Sequence, residues 1–441
     1  MSRFFGVPIA WIFLFIETRF QSNKGVVNSV ADRRRQQRTK LAFRYFSWKK
    51  FFNLLRIELA LRTGKQRLGG TPYEWEIDTT NICQLKCPLC HTGLGTVNRD
   101  KGIMHFDLYK QTIDQIKDYV VWLTLYSWGE PFLNKRIHEF IGYAHQNNIA
   151  TIISTNLNKP LTDEQVDSVI NAGLDVMIIS LDGVTQEVYE KYRVAGHLDR
   201  VLDNIRLFVE RKKALGSQTP YLEWQFIVML QNEHQMEDAE KMADELGVDS
   251  IIFKRVDFPW GEDNPDVAKK WLPQRSEHVS EAPLDRPYNE NGKRCWRLWR
   301  TSVVNWDGGL APCCYMTDAA DDFGDVNTST IQEIKNNEKY LAARGLFDEK
   351  YTPTTYVGCQ GCPVYVDSPI GERRGAIDIP RPQIALSSVK IQLNGMNSNG
   401  SGSAVAGKMI VKGSKIDAAS NGTGGKVAEP AGVDVRPKEK D

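Results

Sequence analysis

The sequence predicts an α/β protein built on six parallel strands, forming either an open sheet or a partial (β/α)6 barrel. Three observations lead there. Strand-like apolar runs recur at 73–79, 120–126, 150–154, 176–180, 222–229 and 250–255. Helical patterns separate them at 106–119, 135–147, 162–172, 198–215 and 234–246. Several of the runs, such as Val-Met-Ile-Ile-Ser at 176–180, are continuously apolar, as expected where helices cover both faces of a parallel sheet. In such sheets the chemistry gathers at the carboxyl ends of the strands.

Before the first strand, residues 1–70 form an N-terminal extension. Residues 4–16 are almost entirely apolar but too short to span a bilayer, which takes about 20 residues. A single preceding charge, Arg3, and the lack of a small-residue cleavage site fit a secretory signal poorly. An upstream start-site artefact and a membrane-surface anchor both remain open. A basic run, 33–40, then leads into 48–61, where Phe51, Phe52, Leu55 and Leu59 recur at helical spacing among basic residues. This amphipathic helix is expected to pack on the neighbouring domain; contact with an anionic membrane surface is the alternative.

The β/α units occupy 71–260, and Thr162 with Gln165 gives the third helical pattern a cap-like start. A segment rich in Pro, Asp, Glu and Trp, 261–290, reads as a linker, and 291–370 as a smaller cysteine-bearing domain. Beyond Gly371 no aromatic residue occurs, and Gly, Ser, Asn, Ala and Lys dominate. The tail, 371–441, is therefore expected to be disordered, because it offers too little apolar surface to offset its ordering entropy.

The eight cysteines fall in two groups, Cys83, Cys87 and Cys90, then Cys295, Cys313, Cys314, Cys359 and Cys362. A disulfide framework belongs to small loop-rich domains, whereas metal sites need local clusters, so the chain reads as reduced and cytoplasmic. The net charge of +1 points to no nucleic-acid partner. Cys83-x3-Cys87-x2-Cys90 follows the first strand, at the mouth of the predicted sheet. Three thiolates suit a [4Fe–4S] cluster with one iron left open, since such clusters normally take four cysteines. The later group includes a C-x2-C pair, Cys359 and Cys362, which also suits structural zinc.

This arrangement resembles the radical S-adenosylmethionine (SAM) superfamily over roughly residues 73–362. The second strand ends in Ser127-Trp-Gly-Glu-Pro131, similar to the family's Gly-Gly-Glu turn with Trp128 in place of the first Gly. The resemblance implies that Gly129 and Glu130 meet the SAM ammonium group, a charge-assisted contact. It likewise implies SAM contacts from Ser154 and Asn156 after the third strand, and from Ser180 and Asp182 after the fourth. Arg193, in Tyr189-x3-Arg193-x2-Gly196, resembles a loop near the SAM carboxylate. Gln225 lies on the fifth strand, facing into or out of the barrel, with no role assigned. Cys83, Cys87 and Cys90 are the implied ligands of the SAM-binding cluster. Cys295, Cys313, Cys359 and Cys362 resemble the SPASM auxiliary-cluster domain in its shortened "twitch" form, implying a second [4Fe–4S] cluster. Cys314 is left as a free thiol.

The implied reaction is reductive SAM cleavage to a 5′-deoxyadenosyl radical that abstracts substrate hydrogen. The cysteine spacing is similar to that of 2-deoxy-scyllo-inosamine dehydrogenase, so the expectation is an oxidoreductase acting on a sugar-like or cyclitol small molecule. A flavodoxin- or ferredoxin-type electron donor is the implied partner. A peptide-modifying maturase and a non-catalytic zinc-stabilised scaffold are the alternatives.

Overall fold

The strand-like runs become six parallel strands: β1 (Glu74–Ile77), β2 (Trp122–Thr124), β3 (Ala150–Thr155), β4 (Val176–Ser180), β5 (Tyr221–Val228) and β6 (Ser250–Arg255). A computed structural model describes residues 37–256, 258, 265–274, 294–375 and 379–380. The apolar run at 4–16 and nearly all of the tail lie outside the described residues. Among those described, no helix is long and apolar enough to cross a membrane.

Sequential strands are neighbours, in the order β6-β5-β4-β3-β2-β1. The register runs Glu76, Thr124, Ile152, Val176, Tyr221 across five of them. Side chains alternate along a strand, so Tyr126, Ser154, Ser180, Gln225 and Lys254 share the face of this row. All five line one cavity. One wall reached from the second to the sixth strand requires a curled sheet, which favours the partial barrel over the open form.

Helices Phe106–Ile116, Ile137–Gln146, Asp163–Asn171, Leu198–Ala214 and Met236–Leu246 alternate with the strands and bury their apolar faces on the sheet. The third of these starts on a complete capping box, Thr162 and Gln165 exchanging bonds with each other's backbone. Helix α1 (Trp48–Thr63) is capped by the Ser47 hydroxyl and ends at Gly64, whose φ of 68° suits glycine. Its Phe51, Leu54, Ile57 and Leu61 are buried. Asn53 exchanges bonds with Thr71, Lys50 donates to the carbonyl of Asn148, and Glu58 meets Tyr73 and Arg300. Those partners precede β3, β1 and β7, so α1 covers the amino ends of the strands, opposite the cysteine loop.

Three features depart from the sequence reading, the first being that helix Pro369–Arg374, capped by the Ser368 hydroxyl, runs into the start of the tail expected to be disordered. Helix Pro265–Trp271 lies inside the expected linker, and Trp271 is buried edge-to-face against Tyr192 at 5.6 Å. The cysteine-bearing C-terminal part also shares the barrel's sheet. β7 (Thr301–Val304) pairs parallel with β1, and β8 (Gly309–Ala311) and β9 (Gly324–Asp325) follow antiparallel, giving a nine-stranded sheet among the described residues. A four-residue strand pairing with one so distant in sequence leaves no local pattern to read.

Candidate active site

The chain leaves β1 through a loop that carries Cys83, Cys87 and Cys90, and this loop is pinned on three sides. Glu130 N–H donates to the Ile82 carbonyl at 2.8 Å, and Lys86 N–H to that of Val194 at 3.0 Å. Asn81 donates to the Asp100 carbonyl and accepts from Gly102 N–H. The loop continues into a single helical turn, His91–Leu94, so close that a Cβ on Gly93 would stand 2.3 Å from the Cys87 carbonyl oxygen. At Gly129 a Cβ would fall 1.7 Å from the Thr80 oxygen. Glycine is required there for this approach of loop to turn.

Cys83, Cys87 and Cys90 line a cavity of about 320 Å3 together with Gly129, Glu130, Ser154, Asn156, Ser180 and Arg193. Six of the seven residues expected to bind the cofactor thus meet the three thiols. Asp182 does not line the cavity. It lies fully buried behind Arg193, accepting from its Nε at 2.6 Å and from Ile227 N–H at 2.6 Å.

Glu130 is 2% exposed, and its carboxylate already accepts from Thr155 Oγ1 at 2.7 Å, Asn156 N–H at 2.8 Å and Phe132 N–H at 3.1 Å. It therefore clamps the end of β3 to the turn after β2, with little acceptor capacity left over. Burial raises its pKa and these donors oppose the rise. Ser154 and Ser180 bring their hydroxyls within 3.2 Å of each other on the cavity wall. Asn156 points its amide nitrogen at Cys83 Sγ, 3.6 Å away, while its oxygen accepts from Gln84.

Burial pushes the Cys83 thiol up to about 12 and raises that of Cys87. The Arg193 guanidinium, 3.9 Å from Cys87 Sγ, is the main group opposing the shift at Cys87. Such thiols stay protonated until a metal displaces the proton. Soft sulfur donors ringed by hydroxyl, amide and guanidinium groups fit an iron–sulfur cluster beside a polar cofactor.

The second cysteine group sorts itself by its neighbours. Cys359 is pushed well up by burial and then by the charges of Cys313, Cys362 and Cys295; Cys362 likewise feels Cys313 and Cys295. Cys314 answers instead to burial, Glu76 and Arg297, with Cys313 last among the charges. Cys359 and Cys362 thus lie within electrostatic reach of Cys295 and Cys313, while Cys313 shares with Cys314 the influence of Glu76 and Arg297. Among the described residues no three His, Cys, Asp or Glu side chains converge tightly enough to hold a single metal ion.

Two contacts tie the cysteine groups together. The Trp128 indole donates to the Cys314 carbonyl at 2.9 Å, its own carbonyl accepts from Thr92, and its ring meets His91 edge-on at 4.9 Å. The residue that departs from the family's glycine is thus a strut between the two halves. Arg99, with only 3% of its side chain exposed, grips both Asp307 and Asp322 at 2.7 Å. The cavity is also lined by Tyr126, Gln225, Lys254, Arg255 and Tyr315. The strand-end rule could have found Lys254 and Arg255 at the end of β6; only the fold brings in Tyr315.

Residues 77–246 match the family model of the radical SAM superfamily, and residues 295–363 match that of an iron–sulfur cluster-binding domain, SPASM. Among similar proteins is the tungsten-containing aldehyde ferredoxin oxidoreductase cofactor-modifying protein of Pyrococcus furiosus. It is 21% identical over 314 residues, covering 65% of this chain and 86% of that protein. A probable GTP 3′,8-cyclase of Methanocaldococcus jannaschii is 27% identical over 284 residues, covering 58% and 89%. The crystal structure of Streptococcus suis SuiB bound to S-adenosylmethionine shares the fold, with a TM-score of 0.52 at 14% identity over 82% of this chain and 86% of that one.

Proposed function

We propose that this chain, which belongs to the radical SAM superfamily and carries a SPASM domain, couples reductive cleavage of SAM to oxidation of a sugar-like or cyclitol alcohol. The radical SAM domain implies a [4Fe–4S] cluster with SAM, and the SPASM domain implies auxiliary iron–sulfur chemistry. When bound, these groups supply a 5′-deoxyadenosyl radical that takes a substrate hydrogen atom, and an acceptor for the second electron. The observation that carries the reading is the meeting of Cys83, Cys87 and Cys90 with Ser154, Asn156, Ser180 and Arg193 in one cavity.

In this reading Cys83, Cys87 and Cys90 hold the first cluster, and Cys295, Cys313, Cys359 and Cys362 the second. Arg193 offsets the negative charge gathering at Cys87, and Asp182 keeps its guanidinium in place. Ser154, Ser180 and Asn156 offer hydroxyl and amide groups to the ribose and carboxylate of SAM. Lys254, Arg255, Gln225 and Tyr315 present polar groups to a polyhydroxylated substrate, which is what favours a sugar-like molecule over an apolar one. A flavodoxin- or ferredoxin-type protein supplies electrons. We place the enzyme in the cytoplasm, with its N-terminus on the membrane surface.

Anaerobically reconstituted protein given SAM and a strong reductant should release 5′-deoxyadenosine, and Cys87→Ala should not. Continued release from that variant would overturn the assignment. Screening SAM cleavage against cyclitols, sugars and peptides tests the substrate class: stimulation by peptides alone would replace it with the maturase reading.

A further inference from the structure

Helix α1 is apolar on two opposite faces. The one already described is buried on the barrel. The other carries Trp48, Phe52, Leu55 and Leu59, which are 52, 51, 36 and 63% exposed. Spacings of four, three and four residues at about 100° per residue put all four within one arc of about 60°. Trp48 and Phe52 stack with ring centroids 6.0 Å apart, and Phe43, on the helical segment at 37–44, is another 40% exposed. Half of the ten large hydrophobic side chains exposed among the described residues lie between positions 43 and 59. An apolar patch this concentrated marks an interaction surface.

The charge carried by this segment itself is almost all of one sign. Residues 37–67 hold nine Lys and Arg against one acidic residue, Glu58. Glu58 is 5% exposed and occupied by Arg300 and Tyr73, so it adds no negative charge to the surface. Lys49 and Arg56 flank the apolar stripe on one side and Arg62 on the other, all three exposed. Lys49 pairs with Asp118, an exposed contact. Upstream, the basic run 33–40 and the apolar run 4–16 continue the same composition.

We propose that this outer face of α1 docks on an anionic lipid bilayer. The helix, about 24 Å long, lies parallel to the surface. Trp48, Phe52, Leu55 and Leu59 enter the boundary between headgroups and acyl chains, and Lys49, Arg56 and Arg62 meet the headgroups. Because α1 covers the amino ends of the strands, docking turns the cysteine-lined mouth toward water, and substrate arrives from the aqueous side. The inference rests on the reading of the N-terminus as membrane-facing and gives that contact a surface.

The test is cosedimentation of the full chain with vesicles of phosphatidylcholine alone or mixed with phosphatidylserine, at low and high salt. The full chain should bind the mixed vesicles, bind the neutral ones weakly, and lose affinity as salt rises. Trp48→Glu/Phe52→Glu should weaken partition about a hundredfold or more, and Leu55→Lys/Leu59→Lys, a second route to the same loss, should do likewise, each with an unchanged melting temperature. Undiminished binding by both variants would overturn this face while leaving an N-terminal membrane contact standing through residues 1–36. No binding by the full chain would overturn both readings. Dimers of the full chain that both variants abolish, without vesicle binding, would reassign the face to self-association.

Discussion

Arg193→Met should destabilise the protein because it strands a buried charge. The Asp182 side chain is fully buried, and after the substitution only Ile227 N–H would remain of the two groups bonded to its carboxylate. Burial pushes this carboxyl up, and Arg193 is the first of the groups that pull it back. Removing one partner of a buried ion pair costs about 3–5 kcal/mol, mostly the penalty on the charge left behind. At about 2–4 °C per kcal/mol for a domain of 150–250 residues, the melting temperature should fall by on the order of 10 °C. Asp182→Asn in the same chain removes the stranded charge, so the double variant should recover most of the loss. Thermal melts of metal-free protein followed by circular dichroism measure all three variants. Alkylation of Cys87 gives an independent readout, since loss of the guanidinium should raise its thiol further and slow the reaction at a given pH. A single variant melting within 2 °C of wild type, or a double variant no better than the single (both thresholds on the scale of about half a kcal/mol), would refute the reasoning.

Three further outcomes are expected. Gly129→Ala drives a methyl group into the Thr80 carbonyl, so the turn must move from the cysteine loop, costing about 1–3 kcal/mol or more and lowering iron bound per chain. Glu76 carries a second signature: burial raises its carboxyl from 4.5 to about 7. A raised folded pKa means stability that is complete below about pH 4.5 and lost as pH rises through about 7, on the order of 3 kcal/mol; melts of metal-free Glu76→Gln across pH 5–8 should be flatter than wild type. Finally, iron analysis should find about eight irons per chain in wild type and Cys314→Ser, and about four in Cys295→Ser.

Much of the barrel was legible in the chain. β4 and β6 begin and end where their strand-like runs do, and β4, Val-Met-Ile-Ile-Ser, is buried at four of its five positions, as a continuous apolar run covered on both faces requires. The capping box at Thr162 was legible because it is made by residues three apart. The cysteine loop was legible for the same reason. Less so were side chains whose direction depends on distant partners. The sequence offers Glu130 as the partner of the SAM ammonium group but does not show that it also accepts from Thr155, Asn156 and Phe132, nor that Asp182, expected as a cofactor contact, stands behind Arg193.

The sequence by itself determined the order of the six β/α units and the position of three thiols at their carboxyl mouth, since periodicity and spacing are local properties. Tertiary structure alone decided that β7 joins β1, that Trp128 braces one cysteine group against the other, and that α1 keeps an apolar stripe turned outward. Each of these depends on which surfaces meet after folding. A mixture of charged and apolar residues along one helix acquires its meaning only when one face has been covered and the other has not.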